Sequence, residues 1–465
     1  MKKPLSIAII TALILILLIP AIRTLSNKPV FPQDSPYYHL RLARNIKEQG
    51  IPFQDSLTQS PYLPQPYHLI LALSPILLSI LIPLLSGISS IIIFYFILKQ
   101  LNIDINKITT ILITTILSPL FIFLFATSNQ HAIAITLILL GFLFFIKEKN
   151  YFIPSLIIFA IMPIFGMLPS LISILALLVY TLNNKEKLKY FYTILTTTSA
   201  ILLIYYLPFI LFYSFPHSSN ILNPNILTNL MSDLGGNIGY GIFTLILTFV
   251  GLYIVWKKEK QITGYLLLLA LILLSFIIPE LNIYIFPIIS LFAGFGLHFI
   301  IKMKWKIDLI KTLTIILIIC GLLFSTLSYI NRLSRSSPTN EIFESLEWLK
   351  QNTATTDTIF THYSKAHWVE TIAQRPTILN SQITYTQDLK TRFNDSNTIL
   401  YSRNFKLTTS LLDKHNIKYI YIDSEMKQGQ VWTKPQQGLL FLFRNQETFK
   451  QVYNENNIEI WEVLR

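Results

Sequence analysis

A short polar segment follows the first long apolar run of the chain and carries side chains that can do chemistry. The segment from Gln33 to Asn45 reads QDSPYYHLRLARN and contains Asp34, His39, Arg41 and Arg44. An ionised aspartate can act as a general base, or it can hold a hard divalent cation through its oxygens. Charged groups gathered directly after an apolar run therefore predict a site at this point of the chain.

A helix is predicted to position these side chains. Ser35 and Pro36 suit the N-cap and first turn of a helix, and Gly50 is a plausible stop. Asp34 then lies just before the helix N-terminus, where the helix dipole favours a carboxylate and keeps it ionised. A purely structural role as a helix cap remains an alternative for Asp34.

The composition identifies the chain as a polytopic membrane protein. Of its 465 residues 52% are hydrophobic and 13% are charged. Apolar runs recur from Ile7 to Ile330, and each of about 17 to 25 residues is long enough to cross the bilayer as a helix. This pattern predicts about eleven spans, the first of them a retained span from Leu5 to Ala21. The single cysteine, Cys320, excludes a disulfide framework and a cysteine zinc site.

The positive charge follows the membrane topology. The formal net charge is +13, and lysines cluster between apolar runs at 147–149, 185–189, 257–260 and 302–306. Clusters of this kind mark cytoplasmic loops. They predict a cytoplasmic N-terminus and external segments at 27–67, 215–236 and 331–465. Nucleic acid is not an expected partner, because a dedicated binder gathers its basic residues on one exposed domain.

The composition changes beyond Ile330, where the long apolar runs stop. We expect a multi-span domain at 1–333, with a large first external loop at 24–67, and an external α/β domain at 334–465. Helices are predicted in NEIFESLEWLKQN and LTTSLLDKHN, and strands in TDTIF, KYIYID and NIEIWEVL. The stretch GLLFLFR is a further apolar element, and its sequence does not distinguish a helix from a strand.

The first loop resembles a known family. DSPYYHLRLARNI, followed by GIP, a second aspartate and PYLPQPYHLIL, is similar to the first external loop of oligosaccharyltransferase catalytic subunits and their GT-C superfamily relatives. SNQHAIAITLILLGF, SDLGGNIGYGIF and SLEWLKQNTATTDTIF resemble later family segments in the right order. The resemblance implies a GT-C-like fold and transfer of a sugar from a polyprenyl or dolichyl phosphate carrier on the external face.

The resemblance also implies roles for individual residues. Asp34 would be catalytic, and Asp34 with Asp233 would hold a divalent cation such as Mg²⁺ or Mn²⁺. The remaining candidates are donor phosphate or substrate contacts at His39, Arg41, Arg44 and Arg332, acidic partners at Asp233 and Asp55, and acceptor contacts at Tyr363, His367 and Trp368. Arginine suits the phosphate because its guanidinium binds it in a bidentate manner. Helix solvation or headgroup contact remains the alternative for His39 and Arg41, and a helix cap near Gly236 for Asp233.

Two segments depart from the family pattern. His362 to Ala366, HYSKA, stands in the place of the WWDYG motif that holds the acceptor hydroxyl, and Thr127 to His131, TSNQH, in the place of an acidic metal cluster. The first departure leaves the acceptor open among glycan, lipid and protein. The second leaves open a mechanism that works without a metal.

Two other classes of function compete with glycosyl transfer. A transporter or flippase of lipid-linked substrates would show ionisable residues or broken helices at mid-membrane depth, whereas the spans here are nearly free of charge. A non-catalytic relative would only bind glycans or act as a scaffold. The preferred hypothesis is a multi-pass membrane glycosyltransferase with its C-terminal domain outside the cytoplasm.

Overall fold

The computed structural model describes residues 3–464 except residues 53, 56, 58–61, 148, 214–229, 259–261 and 382–387. Most of the predicted external segment 215–236 therefore lies outside the described residues, as do parts of two lysine clusters. The described chain is mostly helical, with one mixed sheet near the C-terminus.

The chain up to residue 335 is built from helices, and the predicted helix after Asp34 is confirmed. It ends before Gly50, which has a φ of 82°, a value that glycine adopts readily. The helices are α1 (Lys3–Leu25), α2 (Ser35–Gln49), α3 (Pro66–Leu73), α4 (Pro75–Gln100), α5 (Ile105–Ile116), α6 (Pro119–Ala126), α7 (His131–Ile146), α8 (Phe152–Phe165), α9 (Met167–Asn183), α10 (Leu188–Tyr213), α11 (Ile242–Lys258), α12 (Ile262–Ser275), α13 (Leu281–Lys302) and α14 (Asp308–Arg335).

Several of these helices fit a membrane. Among the described residues, 5 helices are long and apolar enough to cross it, and α5 with α6 would form a sixth, broken span bent by 65°. Apolar helices of 10–17 residues, such as α7 and α8, accompany them. The protein is therefore a multi-pass membrane protein, while the exact number of eleven spans stays a prediction.

Two glycines allow helices α11 and α13 to pack against each other. A Cβ atom at Gly251 would lie 1.9 Å from the carbonyl oxygen of Phe292, and one at Gly296 would lie 2.1 Å from that of Leu247. Neither position has room for a side chain. Small residues at such crossings let two backbones approach closely within a membrane.

Residues from 340 onward form helices around a 4-stranded sheet. The strand order is β1-β2-β4-β3, with β1 parallel to β2 and the other pairs antiparallel. Both predicted helices and all three predicted strands are present, whereas GLLFLFR contains a short helix. The elements are α15 (Asn340–Asn352), β1 (Thr358–Phe360), α16 (Ala366–Trp368) continued by a π-helical turn (Val369–Ala373), α17 (Leu389–Tyr401), α18 (Phe405–Lys414), β2 (Ile417–Ile422), α19 (Gly438–Leu442), β3 (Phe449–Glu455) and β4 (Ile458–Val463).

Helix α2 joins the two parts of the molecule. Tyr37 on α2 is 4% exposed and packs in one apolar cluster with residues of α15, α16 and the sheet. The indole of Trp368 donates to the carbonyl of Gln33 over 3.1 Å, and the Thr371 hydroxyl donates to that of Tyr37 over 2.9 Å. The start of α2 is therefore held against the C-terminal region.

Arg23 holds the chain that links the two parts. Its side chain is fully buried and lies beside the end of α14. The guanidinium donates to the carbonyls of Pro29 and Ser336, each over 2.6 Å, and to that of Pro338 over 2.9 Å. A cation near a helix C-terminus also interacts favourably with the helix dipole. Arg23 therefore holds the chain after α1, at Pro29, next to the chain after α14, at Ser336 and Pro338.

Candidate active site

Asp34 lies at the start of α2, but its side chain does not cap the helix. Although Asp34 occupies the N-cap position, its carboxylate makes no cap hydrogen bond. The Ser381 hydroxyl donates to Oδ2 over 2.8 Å, and Oδ1 is buried without a hydrogen-bond partner. The side chain is 16% exposed. The alternative of a purely structural cap therefore does not describe this carboxylate.

The surroundings of Asp34 raise the pKa of its carboxyl group. Burial raises the pKa of Asp34 to about 6, and Glu370 adds to this, while His367 and the hydrogen bond from Ser381 oppose it. A carboxyl with such a pKa is ionised at neutral pH and still binds a proton well. General bases are most effective when their pKa lies near the working pH.

The C-terminal region brings His367 next to Asp34. Nε2 of His367 lies 3.9 Å from Oδ2 of Asp34, and its Nδ1 lies 3.2 Å from Oε2 of Glu370. Thr377 donates to Oε1 of Glu370 over 2.6 Å, and Asn380 donates to both carboxylate oxygens. His367, which is predicted to contact the acceptor, thus lies beside the carboxylate of Asp34.

Arg41 lies in a buried ion-pair cluster rather than at an open phosphate site. Its guanidinium donates to both carboxylate oxygens of Asp55, each over 2.6 Å, and lies 3.1 Å from Oε2 of Glu370. The two carboxylates outweigh burial and raise the pKa of Arg41. Since two carboxylates already engage it, Arg41 is a poor phosphate ligand, and Asp55 is a partner of Arg41, not of Asp34.

His39 is likewise engaged inside the first loop. Its Nδ1 lies 2.8 Å from Nε2 of His68, whose Nδ1 in turn lies 2.8 Å from the Tyr62 hydroxyl. Burial lowers the pKa of His39 well below its usual range, and the nearby His68 acts in the same direction. A neutral, hydrogen-bonded imidazole has little attraction for phosphate, so the structure gives His39 a packing role.

Two arginines among the candidates keep their charge available. Arg44 on α2 is half-buried and makes no ion pair with the described residues. Arg332, near the end of α14, donates to the backbone carbonyls of Ser232 and Gly236 and lies over the ring of Tyr329. Its Nε is buried without a partner. Backbone carbonyls carry no formal charge, so these contacts give Arg332 no counter-ion.

Asp233 caps a helix. Its Oδ2 accepts from the backbone N–H of Ile242 over 2.7 Å, at the first residue of α11, and from the Ser325 hydroxyl over 2.9 Å. The helix begins at Ile242 and not near Gly236 as expected. The cap alternative for Asp233 therefore agrees with the structure.

A cation held by Asp34 and Asp233 does not fit these contacts. Asp233 is committed to its cap, Asn129 turns its amide nitrogen to the carbonyls of Phe123 and Leu124, and His131 is hydrogen-bonded to the Tyr284 hydroxyl. Within the described ranges, no group of three or more His, Cys, Asp or Glu side chains could hold a metal ion.

The other expected acceptor contacts lie in different surroundings. Trp368 is buried, with Nζ of Lys365 4.7 Å above its ring, and its N–H is used by the first loop. The ring of Tyr363 lies tilted by 39° against that of His362 at a centroid distance of 4.3 Å, and Tyr363 packs against the C-terminal core. Acceptor contact at Tyr363, His367 and Trp368 stays a prediction.

Sequence reasoning missed Glu370 and Ser381. Glu370 is 1% exposed and touches both Arg41 and His367. Its one signal in the sequence is a lone acid in the otherwise uncharged stretch WVETIA. Ser381 has no such signal, because a serine after an irregular segment is common.

Comparisons with known proteins show the fold. No protein-family model and no curated protein matches the chain. Among solved structures it is similar to the oligosaccharyltransferase AglB of Archaeoglobus fulgidus in complex with an inhibitory peptide and dolichol phosphate, with a TM-score of 0.64 and 12% identity over 100% of this chain and 74% of that chain. Another structure of the Archaeoglobus enzyme is a complex with Zn and sulfate.

Two other membrane enzymes have the same fold. ArnT from Cupriavidus metallidurans, bound to undecaprenyl phosphate, matches with a TM-score of 0.56 and 9% identity over 98% of this chain and 97% of that chain. The mycobacterial arabinofuranosyltransferase AftD matches with a TM-score of 0.57 and 12% identity over 100% of this chain and 40% of that chain. All three are GT-C glycosyltransferases, and the chain has the fold of that superfamily.

Proposed function

We propose that this protein transfers a sugar from a polyprenyl or dolichyl phosphate carrier to an acceptor on the external face of the membrane. The observation that carries the proposal is Asp34, a mostly buried carboxylate with one free oxygen where the first loop meets the C-terminal region. The lipid phosphates bound by solved relatives of the same fold support a donor of this class.

The proposed reaction needs a general base and a group that binds the leaving phosphate. Asp34 accepts the proton of the acceptor as the acceptor atom bonds to the anomeric carbon. The bond from that carbon to the carrier phosphate breaks, and the phosphate leaves with the electron pair. Arg332, with Arg44 as a second candidate, stabilises the leaving phosphate, because neither is neutralised by a carboxylate among the described residues.

The lysine clusters support a site on the external side of the membrane. They lie between apolar runs, and with the predicted eleven spans the first loop and the C-terminal region would lie on the opposite side. Donor, acceptor and Asp34 would then meet outside the cytoplasm.

The test is donor consumption by the purified protein in nanodiscs. Polyprenyl phosphates carrying mannose, glucose, galactose or arabinose are supplied with membrane extract as the source of acceptor, and release of carrier phosphate is measured. The wild type is expected to consume at least one donor. Asp34→Asn keeps the shape of the side chain and loses the base, so the rate should fall by about 100-fold or more.

Asp233→Asn is the matched control, since asparagine caps a helix as well as aspartate does and the rate should stay at the wild-type value. A wild-type rate in Asp34→Asn would contradict the proposal. Failure of the wild type to consume any donor would instead favour a non-catalytic relative.

A further inference from the structure

Gln33, the residue before Asp34, has a backbone conformation that side chains rarely adopt. Its φ is 62°, in the left-handed region, which is uncommon for a residue other than glycine and costs conformational free energy. Asparagine and aspartate tolerate this region best among the other residues, and glutamine does not share their advantage. Because a strained conformation persists only where its surroundings hold it, contacts with other parts of the chain must keep Gln33 in place.

Three distant segments of the chain hold Gln33. Its backbone N–H donates to the carbonyl of Ser337 over 2.8 Å, in the link between α14 and α15. Its carbonyl accepts from the Trp368 indole over 3.1 Å. Its side-chain amide donates to Oδ1 of Asn237 over 3.3 Å. Gln33 therefore joins the first loop to the link, to the C-terminal region and to the segment before α11.

The turn at Gln33 precedes an unusual helix start at Asp34. An N-cap residue usually has an extended backbone, which lets its side chain accept from the N–H groups of the first turn. Asp34 instead has a φ of −90° and a ψ of −44°, values close to those of the helix itself, and its carboxylate makes no cap hydrogen bond. The carboxylate accepts from Ser381 and faces the C-terminal region. The left-handed turn thus keeps the carboxylate of Asp34 away from the N–H groups of its own helix.

The side chain of Gln33 reaches the segment that contacts Arg332. Its partner Asn237 follows Gly236, whose carbonyl accepts from the Arg332 guanidinium. The carbonyl of Asn237 accepts from the Tyr329 hydroxyl over 2.6 Å, about one turn before Arg332 on α14. One residue therefore contacts both sides of the proposed site, the base through its backbone and the segment at the phosphate contact through its amide.

We propose that Gln33 is a positioning residue, which sets the distance between the base Asp34 and the phosphate contact Arg332. This inference rests on the proposed function. The backbone of Gln33 orients the carboxylate, and its amide holds the segment beside Arg332. A displacement of about 1 Å between reacting groups can slow a reaction by about 100-fold. A change at Gln33 should therefore alter catalysis, although Gln33 itself supplies no group to the reaction.

Two substitutions separate the backbone of Gln33 from its side chain. Gln33→Gly removes the amide and adopts the left-handed region freely, whereas Gln33→Val removes the amide and, being β-branched, strongly disfavours that region. With a polyprenyl phosphate sugar that the wild type consumes, Gln33→Val should lower kcat by about 100-fold. Gln33→Gly should keep kcat within about threefold and raise the donor KM by about fivefold, the size of one neutral hydrogen bond.

Asn237→Ala removes the same hydrogen bond from the other side. It should also raise the donor KM by about fivefold, and its combination with Gln33→Gly should raise KM no further, because both changes remove one interaction. Asn27 is the matched control for the backbone, since it lies in the first loop with a φ of 51° and is exposed. Asn27→Val should lower the melting temperature as Gln33→Val does and leave kcat unchanged.

A kcat of Gln33→Val close to that of Gln33→Gly would overturn the positioning role. Equal losses of kcat in Gln33→Val and Asn27→Val would overturn it too, because they would reflect a general loss of structure. Additive effects of Gln33→Gly and Asn237→Ala on KM would contradict the link to Arg332, and these two variants decide alone if Gln33→Val does not fold. A wild type that consumes no donor would instead overturn the proposed function, and the role of Gln33 with it.

Discussion

Asp34 and Asp233 both lie near the start of a helix, and the structure gives them opposite surroundings. Asp233 is exposed, and its Oδ2 accepts from the N–H of Ile242 and from Ser325. Asp34 is 16% exposed, receives one hydrogen bond from Ser381 and keeps a buried oxygen unpaired. Position at a helix start therefore does not decide the role of an aspartate. Its partners do.

The arginines of the same two regions differ in the same way. Arg41, beside Asp34, is surrounded by the carboxylates of Asp55 and Glu370, so its charge serves the structure. Arg332, beside Asp233, donates to backbone carbonyls and has no carboxylate partner among the described residues. The aspartate with an unpaired oxygen therefore lies near an arginine that is paired with carboxylates, and the aspartate that caps a helix lies near an arginine that is not. A donor phosphate would accordingly lie toward Arg332 and the acceptor toward Asp34.

Removal of Arg41 is expected to have the largest effect. Arg41→Ala leaves two buried carboxylates without a counter-ion, which typically costs about 3–5 kcal/mol. Thermal unfolding of the protein in detergent measures the loss. Arg392→Ala, which removes a more exposed pair with Asp388, should cost about 1 kcal/mol or less. Equal effects of the two variants would contradict the structural role of Arg41.

Removal of Arg332 should weaken donor binding. A hydrogen bond to a charged group contributes about 1.5–3 kcal/mol, so Arg332→Ala should raise the donor KM by about 10-fold to 100-fold. Initial rates over a range of donor concentrations give this value. Arg335→Ala removes an exposed arginine from the same helix end and should leave KM unchanged. A donor KM unaffected by Arg332→Ala would move the phosphate to Arg44.

The pH dependence follows from the raised pKa of Asp34. Burial raises the pKa of Asp34 to about 6, so most of this carboxyl is protonated at pH 5 and most is ionised at pH 7. Since the ionised form is the proposed base, the transfer rate should rise about 10-fold between these two pH values. His367, Glu370 and Lys365 are the charged or titratable groups that act on Asp34. Ser381→Ala removes a hydrogen bond that stabilises the ionised form, so the midpoint should move upward. A midpoint near pH 4 would show an exposed carboxylate instead.

The smallest effect is expected at Asp233. Loss of a helix cap typically costs about 1 kcal/mol, so Asp233→Ala should lower the thermal stability slightly and leave the transfer rate unchanged. The same unfolding and rate assays measure both. A large loss of transfer in a folded Asp233→Ala variant would give this residue a part in the chemistry.

Local patterns predicted much of the framework. Ser35, Pro36 and Gly50 mark the ends of α2, and alternating residues in NIEIWEVL predict β4, because these signals depend on neighbours in sequence. The strand Phe449–Glu455 was not predicted, since its edge position exposes several of its residues and gives a weaker pattern.

The site itself depends on contacts that sequence patterns do not encode. Asp34 and His367 are 333 positions apart, and Glu370 joins Arg41 to His367 only after the C-terminal region docks on α2. Asp34 and Arg41 were both predicted from their local segment, but the contacts of Arg41 with Asp55 in the same loop and with Glu370 in the C-terminal region are seen only in the folded chain. A phosphate contact at Arg41 stays a prediction, which these two carboxylates do not favour.

The position of a bound donor shows whether Asp34 lies at the reacting carbon. The Asp34→Asn variant is trapped in nanodiscs with a polyprenyl phosphate sugar that the wild type consumes, and its structure is solved by electron cryo-microscopy. We expect the phosphate at Arg332 or Arg44 and the anomeric carbon within about 5 Å of residue 34, with space for an attacking atom at about 3–3.5 Å. A sugar bound well away from Asp34, with no path for an acceptor between them, would contradict this expectation.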